Sequence, residues 1–102
     1  MKKFELNIDD KAYILVARIG HHTRNKGLSI FFETDKEEPF AKVTINFGDE
    51  IAQNEYQYVD IKSCPWAENF IQENGLGKPA GTTKCIDDCE YPLYKFNLEA
   101  FK

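Results

Sequence analysis

The sequence predicts an α+β domain: a mainly antiparallel sheet of five to six strands with one helix, at about residues 65–74, packed on one face. Through most of the first sixty residues, apolar and polar residues alternate with a period of two, whereas helical spacing of apolar residues occurs in one segment. The connections between strands are short, which favours antiparallel neighbours. A chain of 102 residues holds one hydrophobic core, so we expect a single domain over residues 1–102.

Six segments have the pattern of a strand. In "KFELNI", Phe4, Leu6 and Ile8 fall on one face and polar residues on the other, as in a half-buried strand. The next segment, "AYILVARI", is apolar on both faces, as in a central strand. The others are "LSIFFET", "AKVTINF", "YQYVDI" and "EYPLYKFNL". In "AKVTINF" we expect one face to point inward, Ala41, Val43, Ile45 and Phe47, and the other outward, Lys42, Thr44 and Asn46.

The helix is predicted from "SCPWAENFIQENGLG". Ser63 or Cys64 can serve as the N-cap, and Pro65 suits the first turn because its missing N–H would have no partner inside the helix. Apolar side chains at helical spacing then form the stripe that faces the sheet: Trp66, Phe70 and Ile71. A short final turn is expected in "EAFK", after the last strand.

The segment "NGLGKPAGTTKC" has three glycines, two lysines and two threonines, which is the composition of a phosphate-binding loop. Such a loop follows a strand and precedes a helix, so that helix N-terminal N–H groups face the anion. Here the glycines follow the helix: Gly75 suits a left-handed C-cap, and Pro79 prevents the helix from continuing. The negative end of the helix dipole would face the loop. We therefore expect a helix stop and a polar loop that returns to the last strand.

The charge of the chain limits the classes of partner. A formal net charge of −4 and a pI near 5.1 do not favour direct nucleic-acid binding, which normally needs a basic face, but suit a protein partner with a basic surface. No apolar run approaches the roughly 18 residues of a membrane helix. The first residues, "MKKFELNIDD", lack the apolar centre of a signal peptide. The sequence thus predicts a cytoplasmic protein with no membrane contact.

The three cysteines, Cys64, Cys85 and Cys89, are expected to be reduced thiols in a cytoplasmic protein. Together with His21 or His22 they offer a Cys3His zinc set, but the C-x3-C spacing is weaker than the usual C-x2-C knuckle. A regulatory disulfide between Cys85 and Cys89 is an alternative. We expect no metal and no cofactor.

A small enzyme that depends on Cys64 is the catalytic alternative. Cys64 precedes Pro65 at the start of the predicted helix, where the helix dipole lowers the pKa of a thiol. A base would have to come from the His21–His22 loop, and nothing in the sequence brings that loop to Cys64. The sequence therefore favours a non-enzymatic protein and leaves this alternative open.

Charged residues cluster in the predicted connections, where they are exposed. Acids occur in three groups and bases in one loop, and all are candidates for partner binding: Glu33, Asp35, Glu37 and Glu38; Asp49 and Glu50; Asp87 and Asp88; and His21, His22, Arg24 and Lys26. One interpretation is that these charges serve solubility. The other is that the acids imitate a phosphate backbone and dock in the basic channel of a nucleic-acid enzyme, with electrostatic steering of association.

The runs "CPWAENFIQENGLGKPAG" and "YPLYKFNLEAF" resemble the C-terminal half of a family of small uncharacterised proteins carried on plasmids and conjugative elements of Gram-positive bacteria. The specific string is W-A-x-x-F-I-x-x-N-G-L-G-x-P, residues 66–79. The resemblance implies a mobile-element setting, in which small acidic proteins are often counter-defence factors. Its most concrete version is an anti-CRISPR inhibitor that binds Cas9 or its guide RNA complex; the alternative is an interaction domain without such a role. No catalytic residues carry over.

Overall fold

A computed structural model describes residues 2–21, 27–48 and 55–102, which form two antiparallel sheets, one helix and one 3-10 helix. The first sheet has the order β1-β2-β3-β4 and contains β1 (Lys3–Ile8), β2 (Lys11–His21), β3 (Leu28–Thr34) and β4 (Pro39–Lys42). The second has the order β5-β6-β8-β7 and contains β5 (Thr44–Ile45), β6 (Tyr56–Val59), β7 (Gly77–Ile86) and β8 (Cys89–Phe96). The helix α1 spans Ala67–Glu73 and the 3-10 helix Leu98–Phe101.

The predicted class, α+β with antiparallel strands and one helix, is confirmed, but the prediction of one sheet with five to six strands is wrong. There are two sheets of four strands each. The error arises in "AKVTINF", which alternates like one strand but divides into β4 and β5. Between them, Val43 donates its N–H to Ile30 O at 3.1 Å and accepts from Asp60 N at 2.8 Å. At this point the chain changes its pairing partner from β3, in the first sheet, to β6, in the second.

The crossing also changes which side chains are buried. Val43 and Thr44 are adjacent in sequence, yet both are buried, so the expectation that Thr44 points outward is wrong. Phe47, expected to point inward, instead packs against Tyr58 and Tyr91 of the second sheet, with ring centroids 5.4 and 5.1 Å apart. A strand that leaves one sheet for another need not keep a single inward face.

Two buried polar side chains, Thr44 and Gln57, bind backbone groups where the sheets meet. The Thr44 hydroxyl accepts a hydrogen bond from Ile30 N at 3.0 Å. The Gln57 amide donates to Leu28 O at 3.0 Å and accepts from Tyr58 N at 2.9 Å. Buried amides and carbonyls without partners are costly, so these side chains complete the pairing that the β-ladders leave open. We call the contacts of Val43, Thr44 and Gln57 the seam.

Helix α1 packs on the first sheet through aromatic rings. Phe70 lies edge-on to Phe32 and Phe4, with centroids 5.4 and 6.2 Å away. The N-cap of α1 is Trp66, whose side chain makes no capping hydrogen bond, so the predicted N-caps Ser63 and Cys64 are wrong. These two residues belong to a preceding turn, in which Asp60 accepts from their backbone N–H groups, and the helix therefore begins later than expected.

The predicted helix stop is confirmed. Gly75 has a φ of 66°, and its N–H bonds to Gln72 O at 3.2 Å while the N–H of Leu76 bonds to Ile71 O at 2.9 Å. This is a Schellman motif, in which the residue after the left-handed glycine is apolar; here Leu76 is fully buried.

The residues after the stop form β7 rather than the expected polar loop. β7 is an edge strand of the second sheet and pairs with β8. Its register shifts between Pro79 and Thr83, a stretch that contains Gly81 at a φ of 88°. Because proline and glycine are tolerated at edges and bulges, a polar sequence with both residues still forms a strand here. Across the described ranges, no helix has the length and apolar character needed to cross a membrane.

Tyr94 connects α1 to the second sheet. Its buried hydroxyl donates to Glu68 Oε1 at 2.8 Å and accepts from Gln72 Nε2 at 2.7 Å. Burial is the main cause that raises the pKa of Tyr94 to about 12; the Gln72 donor acts in the opposite direction, and Glu68 raises the pKa further. The folded state therefore favours the neutral phenol.

Replacing Thr44 with valine keeps the shape of the side chain but removes the acceptor of Ile30 N–H. A buried donor without a partner costs about 1–3 kcal/mol, so we expect the free energy of unfolding to fall by about that amount in urea denaturation. Thr83→Val, at an exposed strand position, is the control and should stay within about 0.5 kcal/mol of the wild type. If the two variants were equally stable, the hydrogen bond between Ile30 and Thr44 would not stabilise the seam.

Alkaline pH should weaken the attachment of α1. The stability contributed by the neutral phenol of Tyr94 is present below the ordinary tyrosine pKa of about 10. It is lost as the pH rises toward about 12, where the folded protein itself ionises. We expect the free energy of unfolding, measured across this range, to fall more steeply for the wild type than for Tyr94→Phe. Parallel pH profiles would show that Tyr94 does not control this loss.

Candidate functional site

Three of the predicted acidic residues, Glu33, Asp35 and Glu37, line one groove of about 180 Å³ at the end of the first sheet. Val16, which is buried, contributes an apolar wall. Glu33 is held by Arg18, whose Nε donates to its Oε1 at 2.6 Å, while Asp35 and Glu37 are exposed. We call this the acidic groove, because exposed carboxylates surround an apolar wall that can take the aliphatic part of a long cationic side chain.

The turn at residues 35–38, which carries Asp35 and Glu37, is held by backbone and side-chain hydrogen bonds. Thr34 N donates to Glu38 O at 2.8 Å, and the Thr34 hydroxyl accepts from the N–H groups of Lys36 and Glu38, both at 3.3 Å. Asp35 N bonds to Ile14 O of β2 at 3.1 Å. The carboxylates are thus presented on fixed backbone, which lowers the entropy lost when a partner binds.

A second acidic turn, Asp9-Asp10, lies at the same end of the sheet. It joins β1 to β2 with both residues at positive φ, 49° and 65°, as a two-residue hairpin turn requires. Since β2 pairs with β1 on one side and with β3 on the other, with Leu15 opposite Thr34, both turns project from one end. These aspartates are not among the binding residues predicted from the sequence, and it is the shared strand β2 that places them at the same end as the acidic groove.

The charges at this end are mixed, with acids in excess. Lys3 and Arg18 also line the groove, and Lys36 lies on the turn. Carboxylates exceed ammonium and guanidinium groups over the groove and the two turns: Asp9, Asp10, Glu33, Asp35, Glu37 and Glu38 against Lys3, Lys11, Arg18 and Lys36. The formal charge of this set of side chains is therefore negative, although less so than the acids alone would give.

The remaining predicted site residues lie elsewhere. Asp87 and Asp88 form the β7–β8 turn of the second sheet, with φ values of 49° and 65°. His21 is exposed at the end of β2 opposite to the acidic groove. The others lie outside the described residues: His22, Arg24, Lys26, Asp49 and Glu50. The structure thus brings Glu33, Asp35, Glu37 and Glu38 together and does not join Asp87, Asp88 or His21 to them.

The surroundings of Cys64 disfavour the thiolate, whereas those of an activated thiol favour it. Cys64 is buried, and its Sγ lies 3.6 Å from Lys42 O, to which the thiol donates. Burial, with a smaller contribution from the negative charge of Asp60, raises the pKa of the thiol to about 11. At neutral pH the sulfur is therefore protonated and a poor nucleophile.

The other two cysteines cannot form the predicted alternatives in this register. Cys85 lies opposite Glu90, and Ile86 lies opposite Cys89. Side chains of successive strand residues point to opposite faces, so Cys85 and Cys89 face away from each other. A disulfide or a shared metal would require the hairpin to change register. In the described part of the chain, no group of three or more His, Cys, Asp or Glu residues is placed to hold a metal ion.

A larger cavity, of about 570 Å³, lies between the segment that follows α1, the strands β7 and β8, and the 3-10 helix. Gly75, Gly77 and Lys78, from the glycine segment expected to be only a helix stop and loop, contribute to its wall together with Lys95 of β8. This cavity could not be predicted from the sequence without β7, whose pairing with β8 brings Lys78 opposite Lys95.

Residues 12–102 match a family model described as a domain of unknown function, DUF4313. The chain belongs to the DUF4313 family. The matched range of this DUF4313 chain includes the whole second sheet and the 570 Å³ cavity, as well as Glu33, Asp35 and Glu37 of the acidic groove. Neither a curated protein nor a solved structure matches the chain.

The cysteines of the DUF4313 chain should differ in reactivity. Cys85 is exposed and Cys64 buried, so we expect iodoacetamide to modify Cys85 first in the folded protein and Cys64 only after unfolding. Peptide mass mapping over time measures the order, and the denatured protein, in which all three thiols react, is the control. Modification of Cys64 at the rate of Cys85 in the folded state would restore the Cys64-dependent enzyme as the leading alternative.

Proposed function

We propose that this DUF4313 chain is a non-enzymatic binding protein that docks the acidic groove on a basic surface of a protein partner. The observation that carries the proposal is the placement of Glu33, Asp35 and Glu37 around one groove. Acids that are dispersed in solvent serve solubility alone. Acids gathered beside an apolar wall can pair with a lysine or arginine and cover its aliphatic stem.

The rigid turn supports binding over a purely solvating role. The hydrogen bonds of Thr34 fix the backbone of residues 35–38, so a partner need not order it. The nearby Asp9-Asp10 turn extends the negative field beyond the groove. Such a field accelerates association with a positively charged partner and makes the rate sensitive to salt.

The most specific form of the proposal is an anti-CRISPR protein of a mobile genetic element, which inhibits Cas9 by binding it alone or with its guide RNA. The basic channel of such a nuclease normally holds phosphates, and carboxylates on a fixed turn can take their place. The resemblance of residues 66–79 to proteins of plasmids and conjugative elements supports a mobile-element setting for this proposal, with the bacterial cytoplasm as the proposed location. An interaction domain without a counter-defence role is the alternative that uses the same groove.

Charge reversal in the groove tests the binding surface. The double variant Asp35→Lys and Glu37→Lys should weaken binding to Cas9 at least about tenfold, mainly through slower association, since it replaces attraction by repulsion. The matched control, Glu73→Lys and Glu90→Lys, makes the same change in net charge at exposed positions outside the groove. Equal losses in the two double variants would assign the effect to net charge and exclude the groove.

A binding assay with purified Cas9, with and without guide RNA, tests the partner. Association with the unloaded enzyme alone would support occupation of the RNA channel, and association with the loaded complex alone would support occupation of the DNA channel. If neither form binds at micromolar concentration, the Cas9 proposal is wrong.

A further inference from the structure

The 570 Å³ cavity has the size of a small-molecule site, for which the usual range is roughly 300–1,000 Å³. Its walls are joined by short backbone hydrogen bonds. Phe96 N donates to Glu55 O, and Asn97 N donates to Leu76 O, both at 2.7 Å. These bonds fix the end of β8 against the residue before β6 and against the segment that follows α1. The cavity is therefore formed before any ligand arrives.

Two lysines of the wall, Lys78 and Lys95, lie directly opposite each other in the β7–β8 ladder. Like charges at such positions are only about 5 Å apart at Cβ and destabilise the pair of strands. Both lysines are exposed, and over the described ranges neither forms an ion pair with a carboxylate. In a chain of net charge −4, this concentrates two positive charges where an anion would relieve their repulsion.

The glycines of the wall leave bare backbone beside these lysines. A Cβ on Gly77 would lie 2.9 Å from Lys95 O and 3.2 Å from Phe96 Cα, so only glycine lets β7 approach β8 this closely. A Cβ on Gly75 would meet nothing within 4 Å, and the φ of 66° also favours glycine. Between them, Leu76 points into the core.

In the folded chain, the dipole of α1 disfavours an anion near this segment less than the sequence alone predicts. The last carbonyls of α1 are engaged by the N–H groups of Asn74, Gly75 and Leu76. An anion in the cavity would be held by the lysine side chains of a β-ladder, not by the end of the helix, and so does not need the strand–loop–helix order of a phosphate loop.

Two carboxylates also line the cavity and restrict the ligand. Glu99 forms an ion pair with Lys102 at 3.1 Å, which offsets its charge. Glu55 remains as an acceptor for hydroxyl groups, beside the amide of Asn97. A ligand that satisfies this wall carries a compact dianion for the two lysines and hydroxyl groups for Glu55. A phosphate monoester is close to a dianion at neutral pH, whereas a single carboxylate supplies one charge.

We propose that this cavity binds a small phosphate monoester that bears hydroxyl groups, with the phosphate held between Lys78 and Lys95 on the β7–β8 ladder. The proposal concerns a different surface from the acidic groove and does not depend on it. It also gives "NGLGKP" a role beyond the helix stop, because Gly75, which ends α1, and Gly77, which begins β7, both line the cavity.

Titration of isotope-labelled protein with inorganic phosphate, ribose 5-phosphate and adenosine monophosphate tests the proposal, with shifts of backbone amide resonances as the readout. We expect saturable shifts at Gly75, Gly77 and Asn97 with the two esters, weaker binding of inorganic phosphate, and no shifts with ribose or adenosine. Binding of inorganic phosphate as tight as that of the esters would reject the monoester site, as would the absence of saturable shifts at millimolar concentration.

The variants Lys78→Gln and Lys95→Gln should each weaken ester binding at least tenfold, while Lys62→Gln, at an exposed position outside the cavity, should bind like the wild type. Thermal melting gives a second measurement of binding, independent of the backbone amide resonances. Without ligand, Lys95→Gln should melt at or above the wild-type temperature, because the repulsion with Lys78 is gone. Ribose 5-phosphate should raise the melting temperature of the wild type and of Lys62→Gln, and raise that of the two cavity variants less. Equal binding by all three variants would overturn the assignment.

Discussion

The structure depends on the pairing of one short segment, residues 39–45, with both sheets. At Val43 the chain gives its N–H to β3 and its C=O to the residue after β6, and Thr44 and Gln57 bind the backbone groups that remain. The β-ladder of the second sheet is short at this point, since β5 has two residues. Because each of these groups is buried, opening the seam would leave several polar atoms without partners and without water.

The seam also determines how the two candidate surfaces are distributed. The acidic groove belongs to the first sheet, where β2 sets the relative position of the Asp9-Asp10 turn and the turn of residues 35–38. The cavity belongs to the second sheet and to the segments that follow α1 and β8. Each surface is built from its own sheet, so a change of charge in one leaves the residues of the other unaltered.

Much of the fold follows from local pattern. The strict alternation of "KFELNI" and the apolar run of "LSIFFET" predict β1 and β3 with their observed bounds, and Gly75 predicts the end of α1. The break at Val43 cannot be seen in the sequence, because apolar and polar residues alternate straight through it. The strand is divided by the hydrogen bonds of Val43 to two residues distant in sequence, Ile30 and Asp60. The predicted acids are exposed wherever the structure describes them, apart from the half-buried Glu33, but their grouping depends on register, here Leu15 opposite Thr34.

The composition of β7 has a further consequence. β7 is an edge strand of the second sheet, and an edge strand has backbone N–H and C=O groups on one side without a partner strand. Such groups can pair with a strand of another molecule. Pro79 removes one donor, the irregular register around Gly81 bends the strand, and Lys78 and Lys84 place charge along it. The proline, glycine and lysines that make β7 look like a loop in the sequence are thus residue types that protect exposed sheet edges from pairing with another chain.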